Sequence, residues 1–198
     1  MTNGWYPENP NLGQEIQGAP GSGLRVDKGF LAHYQAVPIA AADDYVHAAI
    51  TLAIGATQTI TANITNPDVS RILSITGNAA TAVGNVVIVG TNAAGVAITE
   101  TIVSTGAATV AGLLAFKTVA SITVPAQGAG GDTISVGVGD ALGLNHYLTH
   151  NTVLASYLNN VLEATAAAVT VSATVLEENT VGLDTALDGT VVDIYYMV

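Results

Sequence analysis

The chain has 198 residues, no cysteine, and fifteen acidic side chains against four basic ones, for a formal net charge of −11. Without Cys there is no disulfide framework, thiolate metal site or cysteine nucleophile. With Arg25, Lys28, Arg71 and Lys117 as the whole cationic supply, neither a nucleic-acid backbone nor an anionic membrane surface is an expected partner. Hydrophobic content is 49% and charged content only 10%, yet no uninterrupted apolar run approaches the roughly 20 residues of a membrane helix. The polar surface must come from Thr, Ser, Asn and Gly. The N-terminus has no basic cluster followed by an apolar stretch, so no secretory signal is expected.

Residues 1–44 are read as an extended N-terminal arm. They hold Pro7, Pro10, Pro20 and Pro38, four of the six prolines, together with the lone Trp5 and the run Gly18-Ala19-Pro20-Gly21-Ser22-Gly23. Such density of Pro and Gly removes ladder donors and raises the entropy cost of order. The arm is nevertheless too rich in apolar residues for a solvated tail, so it is expected to dock. Large aromatics and Arg most often dominate interface energies, which singles out Trp5, Tyr6, Arg25, Phe30 and Tyr34 as partner-binding candidates.

From Tyr45 onward, β-branched Val, Ile and Thr gather in short runs separated by turn residues, the pattern of an all-β sandwich or barrel. Strands are predicted near 46–54, 57–64, 71–76, 85–89, 96–103, 116–124 and 133–138. The stretches Asn92-Ala93-Ala94-Gly95 and Thr76-Gly77-Asn78 are read as hairpin turns. A second β block covers 146–158, the Asn159-Asn160 pair, 161–163, 169–176 and 190–198. The core is thus either one 45–198 body or a 45–145 sandwich followed by a 146–198 block. For 151–164, strand is preferred to helix, although Leu154, Leu158, Val161 and Leu162 recur at near-helical spacing. Asp188-Gly189 is expected to form a hairpin turn into a C-terminal strand.

No constellation demands catalysis. His146 and His150 share a face on either a helix or a strand but lack a third ligand nearby, and His33 and His47 are isolated; structural or surface roles are expected for all four. The Gly128–Asp140 stretch lacks the repeat of calcium-binding glycine-rich sequences and the lysine of a phosphate loop, so it reads as a loop before a strand. Adjacent carboxylates at Asp43-Asp44 and Glu177-Glu178 would point to opposite faces of an extended chain. The expectation is a non-enzymatic protein with no cofactor and no metal.

One set of motifs carries a resemblance. Ile64-Thr65-Asn66-Pro67-Asp68-Val69-Ser70-Arg71, Ile75-Thr76-Gly77-Asn78-Ala79, Gly90-Thr91-Asn92-Ala93-Ala94-Gly95, Thr99-Glu100-Thr101-Ile102 and Ala115-Phe116-Lys117-Thr118-Val119 resemble virion structural proteins of tailed bacteriophages, most of all capsid decoration (cement) proteins. The resemblance covers about residues 45–198. It implies a homo-oligomer, with a trimer favoured, bound to the major capsid protein on the outer surface of the head after synthesis in the host cytoplasm. A tail-fibre or receptor-binding protein is the alternative. A bacterial surface adhesin fits less well, for want of a signal sequence.

Overall fold

The computed structural model describes residues 14–15, 25–26, 29–128 and 130–198. The described residues are all-β, with 54% of them in strands and 2% helical. In chain order the strands are β1 (Gln14–Glu15), β2 (Arg25–Val26), β3 (Leu31–Ala36), β4 (Ala42–Thr51), β5 (Gln58–Ile60), β6 (Arg71–Gly77), β7 (Val83–Thr91) and β8 (Ala97–Thr105). They continue as β9 (Thr109–Phe116), β10 (Thr118–Val124), β11 (Thr133–Gly143), β12 (Val153–Leu158), β13 (Val161–Leu162), β14 (Ala168–Thr170), β15 (Thr180–Gly182) and β16 (Val192–Met197), with a 3₁₀ turn at Leu176–Glu178. Every named pairing is antiparallel.

Two sheets enclose a first core. One has the order β5-β10-β7-β8; the other runs β14-β15-β11-β6-β9, with β4 also paired to β11. Period-two alternation decides which side chains enter: on β8, Ile98 and Ile102 are buried while Thr99, Thr101 and Val103 are exposed. They meet Val86, Ile88, Ile122, Leu73, Ile75, Ile134 and Val136 in one cluster. Each such side chain contributes roughly 1.5–3 kcal/mol by leaving water.

Strand β11 belongs to both halves of the molecule. Along one edge it pairs with β4 over Thr133–Val138 and with β15 at Leu142–Gly143; along the other it pairs with β6. Its register against β6 moves from Val138↔Leu73 to Leu142↔Arg71, so two extra residues bulge out. Before the bulge Ile134, Val136 and Val138 enter the first core; after it Leu142 and Leu144 enter a second, with Leu148, Leu158, Val181, Val192, Ile194 and Tyr196. Gly137 permits the crossing with β4, since a Cβ there would lie 2.5 Å from the Asp43 Cα.

The fully buried Arg71 fills the bulge. Its Nε donates to the Gly139 carbonyl at 2.7 Å and Nη2 to the same oxygen, while Nη1 donates to the Ile39 carbonyl at 2.9 Å and to Asp68 Oδ1 at 3.3 Å. Asp68 Oδ2 in turn accepts from the Ile39 N–H at 2.7 Å. One guanidinium thereby ties together β6, β11 and the segment linking β3 to β4.

The second core is roofed by the sheet β13-β12-β16-β3. Strand β3 falls within the stretch read from the sequence as arm; residues 29–44 are integrated into the body through β3 and the start of β4. The reason is local: Ala32, Tyr34 and Ala36 are half-buried against β16 while Leu31, His33 and Gln35 face out, a two-residue alternation masked by neighbouring Gly29 and Pro38. Residues 151–164 form strands, as expected, with Asn159 and Asn160 at φ 50° and 63° making the turn between β12 and β13.

Three sequence expectations are corrected. Asp188-Gly189 forms a turn, with Gly189 at φ 85° and Asp188 Oδ1 accepting from the Thr190 N–H at 3.0 Å, but not a hairpin: β16 pairs with the distant β12 and β3. A dipeptide can set a turn without choosing the partner strand, which is chosen by burial of Val192, Ile194 and Tyr196. Thr76-Gly77-Asn78 likewise carries the chain from one sheet to the other, with β6 and β7 unpaired to each other. Strand β9, rich in Ala, Gly and Leu, lies where no strand was predicted. The Asn92–Gly95 turn does join a hairpin, β7 to β8, the Asn92 side chain accepting from the Ala94 and Val96 N–H groups, each at 3.0 Å.

Candidate interaction surface

The outward face of the β13-β12-β16-β3 sheet brings together residues far apart in sequence. Register places His33 opposite Tyr195, Gln35 opposite Asp193, Leu31 opposite Met197 and Tyr157 opposite Asp193. Directly opposed residues share a face. The His33 and Tyr195 rings are stacked, with centroids 4.5 Å apart and planes 4° from parallel, and Tyr157 meets Tyr195 edge-on at 6.1 Å.

Asp193 organises this surface. Its Oδ1 lies 2.6 Å from His33 Nε2, which donates in the tautomer protonated there, and accepts from Gln35 Nε2 at 2.8 Å. The carboxylate is therefore held by two neighbours while it borders a groove of about 280 Å³ shared with Tyr157, Asn160 and Tyr195. Chemically, the face offers aromatic rings, one oriented carboxylate and an amide.

At the two edges of this sheet large apolar side chains are exposed, Phe30 at 62% and Leu31 on the β3 side, with Val161 and Leu162 similarly open on β13. Phe30 extends the β3–β16 ladder, its N–H donating to the Val198 carbonyl at 2.9 Å and its carbonyl accepting from the Val198 N–H at 2.9 Å. An apolar rim on one sheet is the composition of a contact surface.

Among the residues singled out from the sequence, Phe30 is exposed at this rim. Tyr34, on the face of β3 opposite to His33, packs against the second core, where burial first and the Asp68 carboxylate second push its hydroxyl up to about 12, with Arg71 opposing. Trp5, Tyr6 and the Arg25 side chain lie outside the described residues. His33, read as isolated, has two close partners. Sequence reasoning missed Tyr157, Asp193 and Tyr195; the alternation of Asp193 and Tyr195 about the apolar Ile194 was the available signal.

The remaining sequence candidates sit apart. His146 Nδ1 is 2.7 Å from the Tyr196 hydroxyl, whereas His150 Nδ1 is 2.9 Å from the Thr149 hydroxyl. Among the described residues no group of three or more His, Cys, Asp or Glu could hold a metal ion, and no helix is long and apolar enough to cross a membrane. Residues 130–132 lead into β11, anchored by the Thr81 hydroxyl donating to Asp132 Oδ1 at 3.0 Å.

A second concavity, of about 530 Å³, lies on the first sandwich between β8 and β9, which are the end strands of their respective sheets. Glu100 on β8 reaches across it: Oε1 accepts from the Leu113 N–H at 2.5 Å and the Leu114 N–H at 3.3 Å. Its Oε2 is buried without a partner. Burial raises the carboxyl above the usual glutamate range, against the opposing pull of the two β9 amides. Compared with known protein families, with curated proteins and with solved structures, the chain matches none.

Proposed function

We propose that the protein is a structural, non-catalytic component of a tailed-phage virion, a decoration (cement) protein that binds the major capsid protein on the outside of the assembled head and stabilises it as a homotrimer. The motif resemblance of residues 45–198 supplies the class. The observation that carries the mode of attachment is the exposed rim of Phe30, Leu31, Val161 and Leu162 on the sheet that the N-terminal segment enters. A protein added to a lattice gains affinity when a compact body and an appended segment make contact at once. The low-charge surface also lets apolar contacts form with little desolvation of ions.

The test is attachment of the full chain to undecorated heads, read by cryo-electron microscopy. Saturating, symmetry-defined density on the outer surface is expected, and Phe30→Ser/Leu31→Ser should reduce occupancy while the protein remains folded. Removal of residues 1–28, which leaves β3 in place, should do the same. Heads that stay bare at saturating protein would reject the reading.

A second reading, host recognition by a tail-fibre or receptor-binding protein, is favoured by the groove of Tyr157, Asn160, Asp193 and Tyr195. Aromatic rings beside a carboxylate and an amide offer stacking and hydrogen bonds to a saccharide. Binding of the full chain to host glycans, lost in Tyr195→Ala, would select this reading over the first.

A further inference from the structure

We infer that the groove between the end of β3, the β9–β10 junction and the segment after β11 is a binding site for one carboxylate, and that an acidic side chain of a second copy of this chain supplies it. The occupant rests on the homo-oligomer of the proposed function; the site itself does not. The groove has a volume of about 250 Å³ and is lined by Tyr34, Ser70, Lys117 and Asn145, with Val69 and Ala93 as apolar wall. Four separate stretches of chain bring those four polar side chains together.

All four can donate. Lys117 is exposed, and among the described residues its Nζ makes one long hydrogen bond, to the Asp68 carbonyl at 3.3 Å, which leaves two of its three N–H groups unused. Ser70 is 7% exposed, and neither its hydroxyl, nor the Tyr34 hydroxyl, nor the Asn145 amide has a hydrogen-bond partner among the described residues. The side-chain oxygens that are both sealed and unpartnered belong to Ser74 and Glu100, whereas Ser70 opens on this groove. Burial keeps the Tyr34 proton in place up to about 12, so that hydroxyl stays a donor. A nearly buried hydroxyl without a partner calls for an acceptor, and an oxyanion beside Lys117 would provide it.

Charge selects the ligand. Arg71 is fully buried, so Lys117 supplies the positive charge at this surface. The adjoining carboxylates are already engaged, Asp68 with the Ile39 N–H and Arg71 and Glu177 with the Asn92 side chain. One cation among neutral donors matches a singly charged carboxylate better than a doubly charged phosphate. The occupant follows from composition. With fifteen acidic side chains against four basic ones, copies of the chain repel one another, and seating an acid of one copy on Lys117 of the next turns that repulsion into attraction at one point. Such a contact is heterologous, the kind that closes into a ring.

Two experiments on the isolated full chain separate the site from its occupant, and both from capsid attachment. In the first, isotope-labelled protein is titrated with sodium acetate against a sodium chloride control. Saturable shifts of the Ser70, Lys117 and Asn145 amides are expected, with affinity at least tenfold weaker in Lys117→Gln, at least threefold weaker in Ser70→Ala, and retained in Lys117→Arg. Absence of saturable shifts in the wild type, equal affinity in the folded Gln and Ala variants, or tighter binding of inorganic phosphate than of acetate overturns the carboxylate site. In the second, sedimentation velocity at low salt should show concentration-dependent self-association that weakens at least tenfold in Lys117→Gln and on addition of acetate. A chain that stays monomeric at about 100 μM, or association indifferent to both changes, overturns a second copy as the source of the carboxylate.

Discussion

The Arg71 Nε–H donates to the Gly139 carbonyl at 2.7 Å, across the point where β11 gains two residues on β6. That carbonyl belongs to the bulge and has left the regular ladder, so the guanidinium replaces the lost backbone donor. Because the same group also holds Ile39 and Asp68, its removal strands several acceptors at once. Arg71→Leu is expected to destabilise by about 3–5 kcal/mol, the range for breaking a buried ion pair on one side. Asp68→Asn should cost less, since that contact is longer, at 3.3 Å, and the Asp68 side chain retains 16% exposure. Urea unfolding of both variants checks this, and a loss below about 1 kcal/mol for Arg71→Leu would contradict it.

Asn179 is fully buried, and both ends of its amide are in use. Its Oδ1 accepts from the Leu148 N–H at 3.0 Å and the Ser172 N–H at 2.9 Å, and Nδ2 donates to the Ser172 carbonyl at 2.9 Å and the Val175 carbonyl at 2.8 Å. Asn179→Ala leaves these groups unpaired, at roughly 1–3 kcal/mol for each one that water cannot reach. Hydrogen exchange should accelerate first at Leu148 and Ser172, ahead of the first core.

Glu100 makes stability fall as pH rises. An acid whose pKa is raised on folding binds its proton more tightly in the native state, so the stability present below the unfolded value, about 4.3, is lost as pH climbs through the folded value. Glu100→Gln should flatten that slope and raise the melting temperature at pH 7 relative to the wild type. Parallel melting curves from pH 4 to pH 8 for the two proteins would refute this.

Tyr34 obeys the same sign at alkaline pH. Its hydroxyl, raised to about 12 chiefly by burial, stays neutral in the folded chain where an unfolded tyrosine ionises near 10. Stability is therefore lost from about pH 10 upward, and Tyr34→Phe should lessen the loss. Ultraviolet titration should show one fewer late-ionising tyrosine in the variant.

How much of this was legible in the sequence differs by element. The all-β class and the β7–β8 hairpin could be read because β-branched runs and the Asn92–Gly95 turn act locally. Strand β9 could not, since Thr109–Phe116 is paired by β6 and not by its own propensity. The outer surface around Asp193 was illegible for another reason: its members come from β3, β12 and β16, and only long-range register unites them. Phe30 could be picked out as a large aromatic, but the inward turn of Tyr34 depends on which face of β3 meets Ile194.

Strand β16 lies between β12 and β3, and His33 contacts Asp193 across 160 positions. Strand β3 therefore has no hydrogen-bonding neighbour in its own stretch of chain, and Ala32 and Tyr34 stay uncovered until a segment from far along the polypeptide arrives. Closure at so large a separation is slow, and the interval exposes an unpaired edge to other copies. Residues 192–197 are thus the latch of this half of the fold, and the β3 edge is where a chain that has not yet closed is open to the wrong partner.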